Sequence, residues 1–290
     1  MVTMGSTDHE MSITVGVLAL QGAFNEHVQL LRQAAQILAT KDKDIVQRNW
    51  TFKEVRTEEE LSSCDALILP GGESTAISLV AQRSNMLEPL RDFVKVKRKP
   101  AWGTCAGLIL LAESANRTKK GGQELIGGLD VRVNRNHFGR QIESFEANLD
   151  LPFLKQADGE SLDANQTPFR AIFIRAPIVE RLLPTVTGIQ EGEAKIDDTV
   201  VAPSREINQE AARSINIGNV EVMGTLPGRT TVIKDDATKE KLDAEAGDII
   251  AVRQANVFGT SFHPELTGDP RIHVWWLKQV IEAVHRRRIS

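Results

Sequence analysis

Pro100-Ala-Trp-Gly-Thr-Cys105-Ala-Gly-Leu-Ile-Leu-Leu111 is the stretch on which the fold turns. The basic segment Lys95 to Lys99 precedes it, and the apolar run after Cys105 reads as the start of a helix. Its kernel, Gly103-x-Cys105-x-Gly107, is a nucleophile-elbow pattern with Cys in place of Ser. A sharp turn from strand to helix crowds the neighbours of the nucleophile, which favours glycine at the flanking positions. The turn lifts the side chain above the sheet edge. It also sets the sulfur near the free N–H groups of the helix start, where positive partial charge favours a thiolate.

Upstream, Ile13 to Leu20 is a short apolar run rich in β-branched residues, which predicts a buried first strand broken by Gln21-Gly22. Asn25 to Leu38 carries Val28, Leu31, Ala35 and Leu38 at helical spacing, and Ile45 to Val55 reads as an edge segment. Cys64 to Pro70 predicts a second buried strand, ended by Pro-Gly-Gly; Ser74 to Leu90 predicts a helix loosened near Pro89. Ala101 to Cys105 closes a third strand and Ala106 to Glu113 opens the next helix. Three strand–turn–helix units in a row imply right-handed crossovers, hence an α/β fold with a mostly parallel twisted sheet and helices on both faces. In such sheets reactive groups gather outside the carboxyl ends of the strands. Gln21-Gly22, Gly71 to Ser74 and Cys105 all fall there, so three loops point at one crevice.

Downstream the chain is more strand-like, with candidates at Leu129 to Val133, Ser144 to Leu149, Phe169 to Ile174, Ile249 to Val252 and Asn256 to Phe262. From about Gln190 to Asp248 it turns polar and is interrupted by Gly and Pro, which predicts an inserted, mobile excursion. His273 to Arg287 reads as an amphipathic closing helix with Val274, Leu277, Ile281 and Val284 on one face. The expected organisation is a single domain: a core over about 13–189 and 248–290, a polar insertion over about 190–247, and a polar N-terminal tail, 1–12.

The 290 residues, 41% hydrophobic and 26% charged, are enough to bury a sizeable core. A net charge of −4 gives no reason to expect nucleic acid or an anionic membrane as partner. The Arg286-Arg287-Arg288 run reads as a solvated helix end. No stretch has the apolar length needed to span a bilayer, and the first dozen residues lack a signal-peptide pattern, so a cytoplasmic location is expected. Cys64 and Cys105 do not make a disulfide framework.

A Cys nucleophile needs a base, and the base needs a third group to orient it. Of the six histidines, only His263 follows an apolar strand with a carboxylate, Glu265, two residues on. Pro264 biases His263 toward the extended region, where residues i and i+2 share a side. Glu265 is then placed to hold one ring nitrogen while the other faces Cys105. Pro70-Gly71-Gly72-Glu73-Ser74 supplies a third element, since two glycines free the backbone to aim an N–H at a developing oxyanion. It lacks the Lys-Ser/Thr of a phosphate-binding loop.

Cys105, His263-Pro-Glu265 and Pro-Gly-Gly-Glu-Ser resemble the class I (triad) glutamine amidotransferases. Five longer stretches narrow the resemblance: Val15 to Phe24, Trp102 to Leu111, Arg135-Asn-His-Phe-Gly-Arg-Gln141, Phe173-Ile-Arg175-Ala-Pro177, and Ser261 to Thr267. Together they are similar to the glutaminase subunits of pyridoxal 5′-phosphate synthase. The resemblance covers most of 13–189 and 248–290; the span near 190–247 and expansions near 41–56 and 153–168 depart from it. It implies a flavodoxin-like fold and hydrolysis of L-glutamine to glutamate and ammonia. Cys105 would attack the amide, with His263 as base and then acid, and Glu265 orienting it. By the same resemblance Gly71 and Gly72 would serve the oxyanion loop, and Gly72, Glu73, Ser74, Arg135, Ile174 and Arg175 would hold glutamine. A guanidinium suits the α-carboxylate and a carboxylate such as Glu73 suits the ammonium. The other reading of Arg135 and Arg175 is a pair of solvent-facing arginines. Because free ammonia is protonated in water, a partner is implied, the synthase subunit that consumes it; no cofactor or metal is. Two alternatives stay open: a Cys hydrolase or peptidase on the same fold, disfavoured by Pro-Gly-Gly-Glu-Ser with Arg135, and a non-catalytic regulatory subunit, disfavoured by the intact Cys105, His263 and Glu265.

Overall fold

Ile13, Val15 and Val17 send their side chains to one face of the first strand, β1 (Ile13–Leu18), while Leu18 joins the apolar cluster on the other. Such two-sided burial is what a central strand of a helix-covered sheet requires. The computed structural model describes residues 12–41, 49–116, 123–135, 144–156, 167–186, 188–226 and 248–289. In its first half β1 is followed by α1 (Phe24–Lys41), β2 (Trp50–Val55), α2 (Glu58–Ser62), β3 (Ala66–Leu69), α3 (Ser74–Arg83), α4 (Leu87–Arg91), β4 (Ala101–Thr104) and α5 (Ala106–Leu111). Then come β5 (Ala112–Asn116), β6 (Leu129–Asn134), β7 (Ser144–Leu149), α6 (Pro152–Gln156), β8 (Phe169–Ile174), β9 (Ile178–Leu182), α7 (Glu191–Ala194) and β10 (Thr199–Val201). The chain closes with α8 (Gln209–Ser214), β11 (Glu221–Leu226), β12 (Asp248–Gln254), β13 (Val257–Thr260) and α9 (Arg271–Ile289).

The main sheet runs β10-β5-β6-β9-β12-β13-β4-β3-β1-β2, with β11 beside β12. Its working part, β13-β4-β3-β1-β2, is parallel throughout. Register matches Leu69 to Gly103 and Thr260 to Thr104, so β3, β4 and β13 end at one level. The residues that follow them are therefore neighbours in space. One face of the sheet is covered by α2 to α5, where Leu67, Ile77, Leu90 and Leu108 pack. The other is covered by α1 and α9, which bury Leu31, Trp102, Trp276 and Val280. The β7–β8 pair forms a separate antiparallel ribbon. No helix among the described residues is long and apolar enough to cross a membrane.

Three expectations change. The helix read over Ala106 to Glu113 stops at Leu111, because Ala112 to Asn116 pair with β6 and β10. The helix read over Ser74 to Leu90 breaks at Ser84 to Met86, where Asn85 takes a φ of 57°. The span from Gln190 to Leu226, expected as a mobile excursion, belongs to the sheet: β10 pairs with β5 and β11 with β12. Val200, Ala202, Ala211, Val220 and Leu226 of this span are buried, so pairing with distant strands overrides a polar local composition. Residues 1–11 of the polar tail, residues 45–48 of the segment read as an edge, residues 157–166, and residues 227–247 of the expected insertion lie outside the described residues.

Candidate active site

Cys105 stands between β4 and α5 with φ 47°, a left-handed value that a side chain adopts only under constraint. The constraint is the close approach of α5 to the sheet. A Cβ on Gly107 would overlap the carbonyl of Leu69 at the end of β3, and one on Gly103 would overlap the Gly107 backbone. Both glycines of the motif are thus required by packing. Cys105 N–H donates to the carbonyl of Thr260 (2.8 Å), which anchors the turn to β13. The thiol is buried, and Sγ lies 3.9 Å from the carbonyl oxygen of Ile174 at the end of β8.

His263 and Glu265 follow β13. They do not meet along an extended strand as expected: residues 264–266 form a 3₁₀ turn, and that turn swings the carboxylate back under the ring. Nδ1 of His263 is 2.8 Å from Glu265 Oε1, and both residues are buried. The His263 N–H donates to Ile172 of β8 (2.8 Å), which fixes the turn from a second side. Burial disfavours a charged ring, but hydrogen bonds to Cys105 and Glu265 outweigh it and raise His263 to about 10. Burial likewise pushes Glu265 up, and its neighbours His27 and His263 more than offset that, holding it below the usual carboxylate value. The ring lies against Gly71, where a Cβ would overlap it. A bare glycine there is what lets the β3 loop approach the His263–Glu265 pair.

The remaining candidates gather at the start of α3. Gly71 accepts from the N–H of Ala23 (3.1 Å), and Glu73 N–H donates to Gln21 Oε1 (2.9 Å), so the loops after β1 and β3 are stitched together. Gly72 is exposed. Glu73 is the N-cap of α3, its carboxylate accepting from Thr75 N–H (3.1 Å) and Ala76 N–H (2.7 Å). Arg135 is not solvent-facing: it is buried, and its Nη2 donates to the hydroxyls of Ser74 (2.9 Å) and Thr75 (3.0 Å). Burial pushes its pKa down and the Glu73 charge opposes that. Residues 136–141 of its motif lie outside the described residues. Arg175 is exposed, with φ 44°, where the chain turns over after Ile174. Cys105 and Arg175, whose preceding carbonyl at Ile174 lies beside Sγ, both carry positive φ, a strain that tends to collect at working sites.

Sequence reading missed three supporting residues, Thr75, Asn116 and His27, and placed Gln21 at the crevice without its partner. Gln21 braces the β3 loop, Thr75 shares the Arg135 guanidinium, and Asn116 accepts from Arg135 N–H (2.8 Å). His27 sits on α1, its Nε2 3.4 Å from Glu265 Oε2. Spacing along the chain carries no signal for these, because each lies far in sequence from the group it touches.

The chain matches the SNO glutamine amidotransferase family over residues 17–212 and 209–282. It is 40% identical over 270 residues to a probable pyridoxal 5′-phosphate synthase subunit PDX2 of Arabidopsis thaliana, covering 93% of this chain and 87% of that one. It is 36% identical over 279 residues to the probable subunit pdx2 of Dictyostelium discoideum, covering 94% of each. A third relative, the pyridoxal 5′-phosphate synthase subunit PdxT of Streptomyces avermitilis, is 38% identical over 89% of this chain and 90% of its own. A crystal structure of a glutamine amidotransferase superposes with a TM-score of 0.57 at 31% identity, covering 92% of this chain and 98% of that one.

Proposed function

This chain belongs to the SNO glutamine amidotransferase family, and from that premise we propose that it is the glutaminase subunit of a pyridoxal 5′-phosphate synthase. It hydrolyses L-glutamine to glutamate and hands the ammonia to a synthase subunit for vitamin B6 synthesis. The observation that carries this reading is Cys105 held at a φ of 47° and anchored to the end of β13, the strand that leads into a His263 ring held by Glu265 at 2.8 Å.

Cys105 Sγ, its proton passed to His263, attacks the side-chain amide carbon of glutamine. A ring whose proton affinity is raised to about 10 already holds that proton near neutral pH, so the sulfur attacks without waiting for the transfer. His263 then gives that proton to the leaving nitrogen, the C–N bond breaks, and ammonia departs from a thioester. Water, deprotonated by the same ring, hydrolyses the thioester and releases glutamate. Backbone N–H groups of the Gly71-Gly72 loop steady the oxyanion, a donor worth ~100-fold or more in rate. Arg135, held at the α3 start by Ser74 and Thr75, binds the substrate α-carboxylate, while Glu73, Ile174 and Arg175 form the rest of the glutamine pocket. A barrel-type synthase partner, docked at the carboxyl end of the sheet in the cytoplasm, takes the ammonia before it is protonated.

The test is ammonia release from glutamine by the chain alone and with a synthase subunit. Cys105→Ala should remove release to background while the variant still folds and co-purifies with the synthase. Release at the parent rate from Cys105→Ala would overturn the assignment.

A further inference from the structure

His27 of α1 and His273 of α9 are both fully buried, and neither is part of the Cys105–His263–Glu265 set. Nδ1 of His27 is 3.0 Å from Nε2 of His273. Nε2 of His27 faces two oxygens, Thr104 Oγ1 at 3.3 Å and Glu265 Oε2 at 3.4 Å. That second carboxylate oxygen accepts no ordinary hydrogen bond among the described residues. The pocket is otherwise aromatic: the edge of Trp102 packs on both rings, at centroid distances of 5.6 and 4.8 Å.

Burial drives both imidazoles down to about 3, so near neutral pH each carries one N–H. The carboxylate selects which nitrogen bears it. A lone pair on His27 Nε2 would point at an anion in a dry pocket, whereas an N–H there is attracted to it. With Nε2 protonated, His27 Nδ1 must accept, and the donor available is His273 Nε2–H. The donors then point one way, from His273 to His27 and on toward the Glu265 oxygen 3.4 Å away, and Glu265 Oε1 receives the Nδ1–H of His263 from the other side.

We propose that His27 and His273 are positioning residues for the nucleophile: a neutral two-histidine buttress, supplied by the first and last helices, that holds Glu265 in place behind His263. No proton moves through it. It clamps one carboxylate oxygen so that the other keeps the His263 ring aimed at Cys105. The proposal rests on the reading of Cys105, His263 and Glu265 given above. It adds two residues to it and joins the site to the α1–α9 face of the sheet.

Two isosteric substitutions separate this role from core packing. The amide of a Gln side chain reaches the Nε2 position of a histidine, and that of Asn reaches the Nδ1 position. His27→Gln therefore keeps a donor toward Glu265, and His27→Asn keeps only the contact to His273. The first readout is the rate of Cys105 alkylation by iodoacetamide, followed by peptide mass spectrometry. We expect His27→Asn to slow it tenfold or more and His27→Gln to stay within threefold of the parent. The second is glutamine turnover with the synthase, where His27→Asn should lower kcat at unchanged KM. In a Glu265→Gln background the difference between the two variants should vanish. Equal alkylation rates for Gln and Asn, or a difference that persists without the Glu265 carboxylate, overturns the buttress. If His27→Asn does not fold, the comparison moves to His273, with Gln expected to hold and Leu to lose, and equal rates there overturn it as well. A parent chain that releases no ammonia with its synthase would sink the glutaminase reading instead, while the alkylation comparison still decides this one.

Discussion

At the scale of single residues, ionisation is set by burial and partner together. His27 and His273 are held neutral at about 3, while His263 is raised to about 10 by Cys105 and Glu265. The stability consequences have opposite signs. A histidine whose folded pKa is depressed leaves the unfolded chain binding the extra proton below about 6.5, so stability falls as pH drops from 6.5 toward 3. At pH 5 each of the two should cost about 2 kcal/mol. His263 contributes fully below 6.5 and loses its contribution as pH rises through 10. Stability should therefore peak near pH 6.5 and fall on both sides. Thermal unfolding of the parent and of His273→Gln at pH 7 and pH 5 checks this: the parent should lose more on acidification than the variant. Equal losses would mean that the buried pair does not set the acid limb. Arg135 makes a second case. If its guanidinium holds the glutamine carboxylate in ground and transition states alike, Arg135→Ala should raise KM with little change in kcat. Steady-state kinetics decide it, and a fall in kcat at constant KM would place Arg135 with the chemistry.

At the scale of elements, the start of α3 serves two purposes with one residue. Glu73 caps the helix through Thr75 and Ala76, and it is also the candidate partner for the substrate ammonium. Asp is as good an N-cap as the position allows, but its carboxylate is one methylene shorter. Glu73→Ala should lose about 1 kcal/mol of stability, the usual cost of a lost cap, together with glutamine affinity. Glu73→Asp should recover the stability and not the affinity. Denaturant unfolding and KM measured on both variants separate the roles. Recovery of KM together with stability in the Asp variant would leave Glu73 a helix cap alone. The capping was not legible in advance, because a Gly-Gly-Glu-Ser run reads first as a turn, and only the seating of α3 shows where its free N–H groups point.

At the scale of the whole molecule, the polar span that begins at Gln190 is tied into the sheet by charge as much as by strand pairing. Glu193 is buried with its carboxylate 2.8 Å from Arg132 Nη1 and 2.8 Å from Arg181 Nη2, and it accepts from Ser114 Oγ at 2.6 Å. Removing one partner of a buried ion pair strands the other in a low-dielectric site. Glu193→Ala should therefore cost about 3 kcal/mol or more, far above an ordinary surface change. A melting temperature within a degree of the parent would mean that the segment is dispensable to the fold, as its composition alone suggested.

The residues alone carried the elbow at Cys105, the His263–Glu265 pair, the glycine loop and the alternation of strand and helix that leads to a parallel sheet. Those signals are local: glycines beside a nucleophile, a proline after a histidine, apolar runs of strand length. What chain order could not carry is which distant groups share a pocket. Glu265 meets His27 from 238 positions away because the turn after β13 packs against α1. Arg135 turns inward because Ser74 and Thr75 wait at a helix start on another strand's loop. The span after Gln190 joins the sheet because β5 and β12 each have a side open to a strand. Local spacing encodes which chemistry is available; the packing of helices across the sheet decides which groups touch it, since burial, pairing and proton affinity are properties of the assembled core.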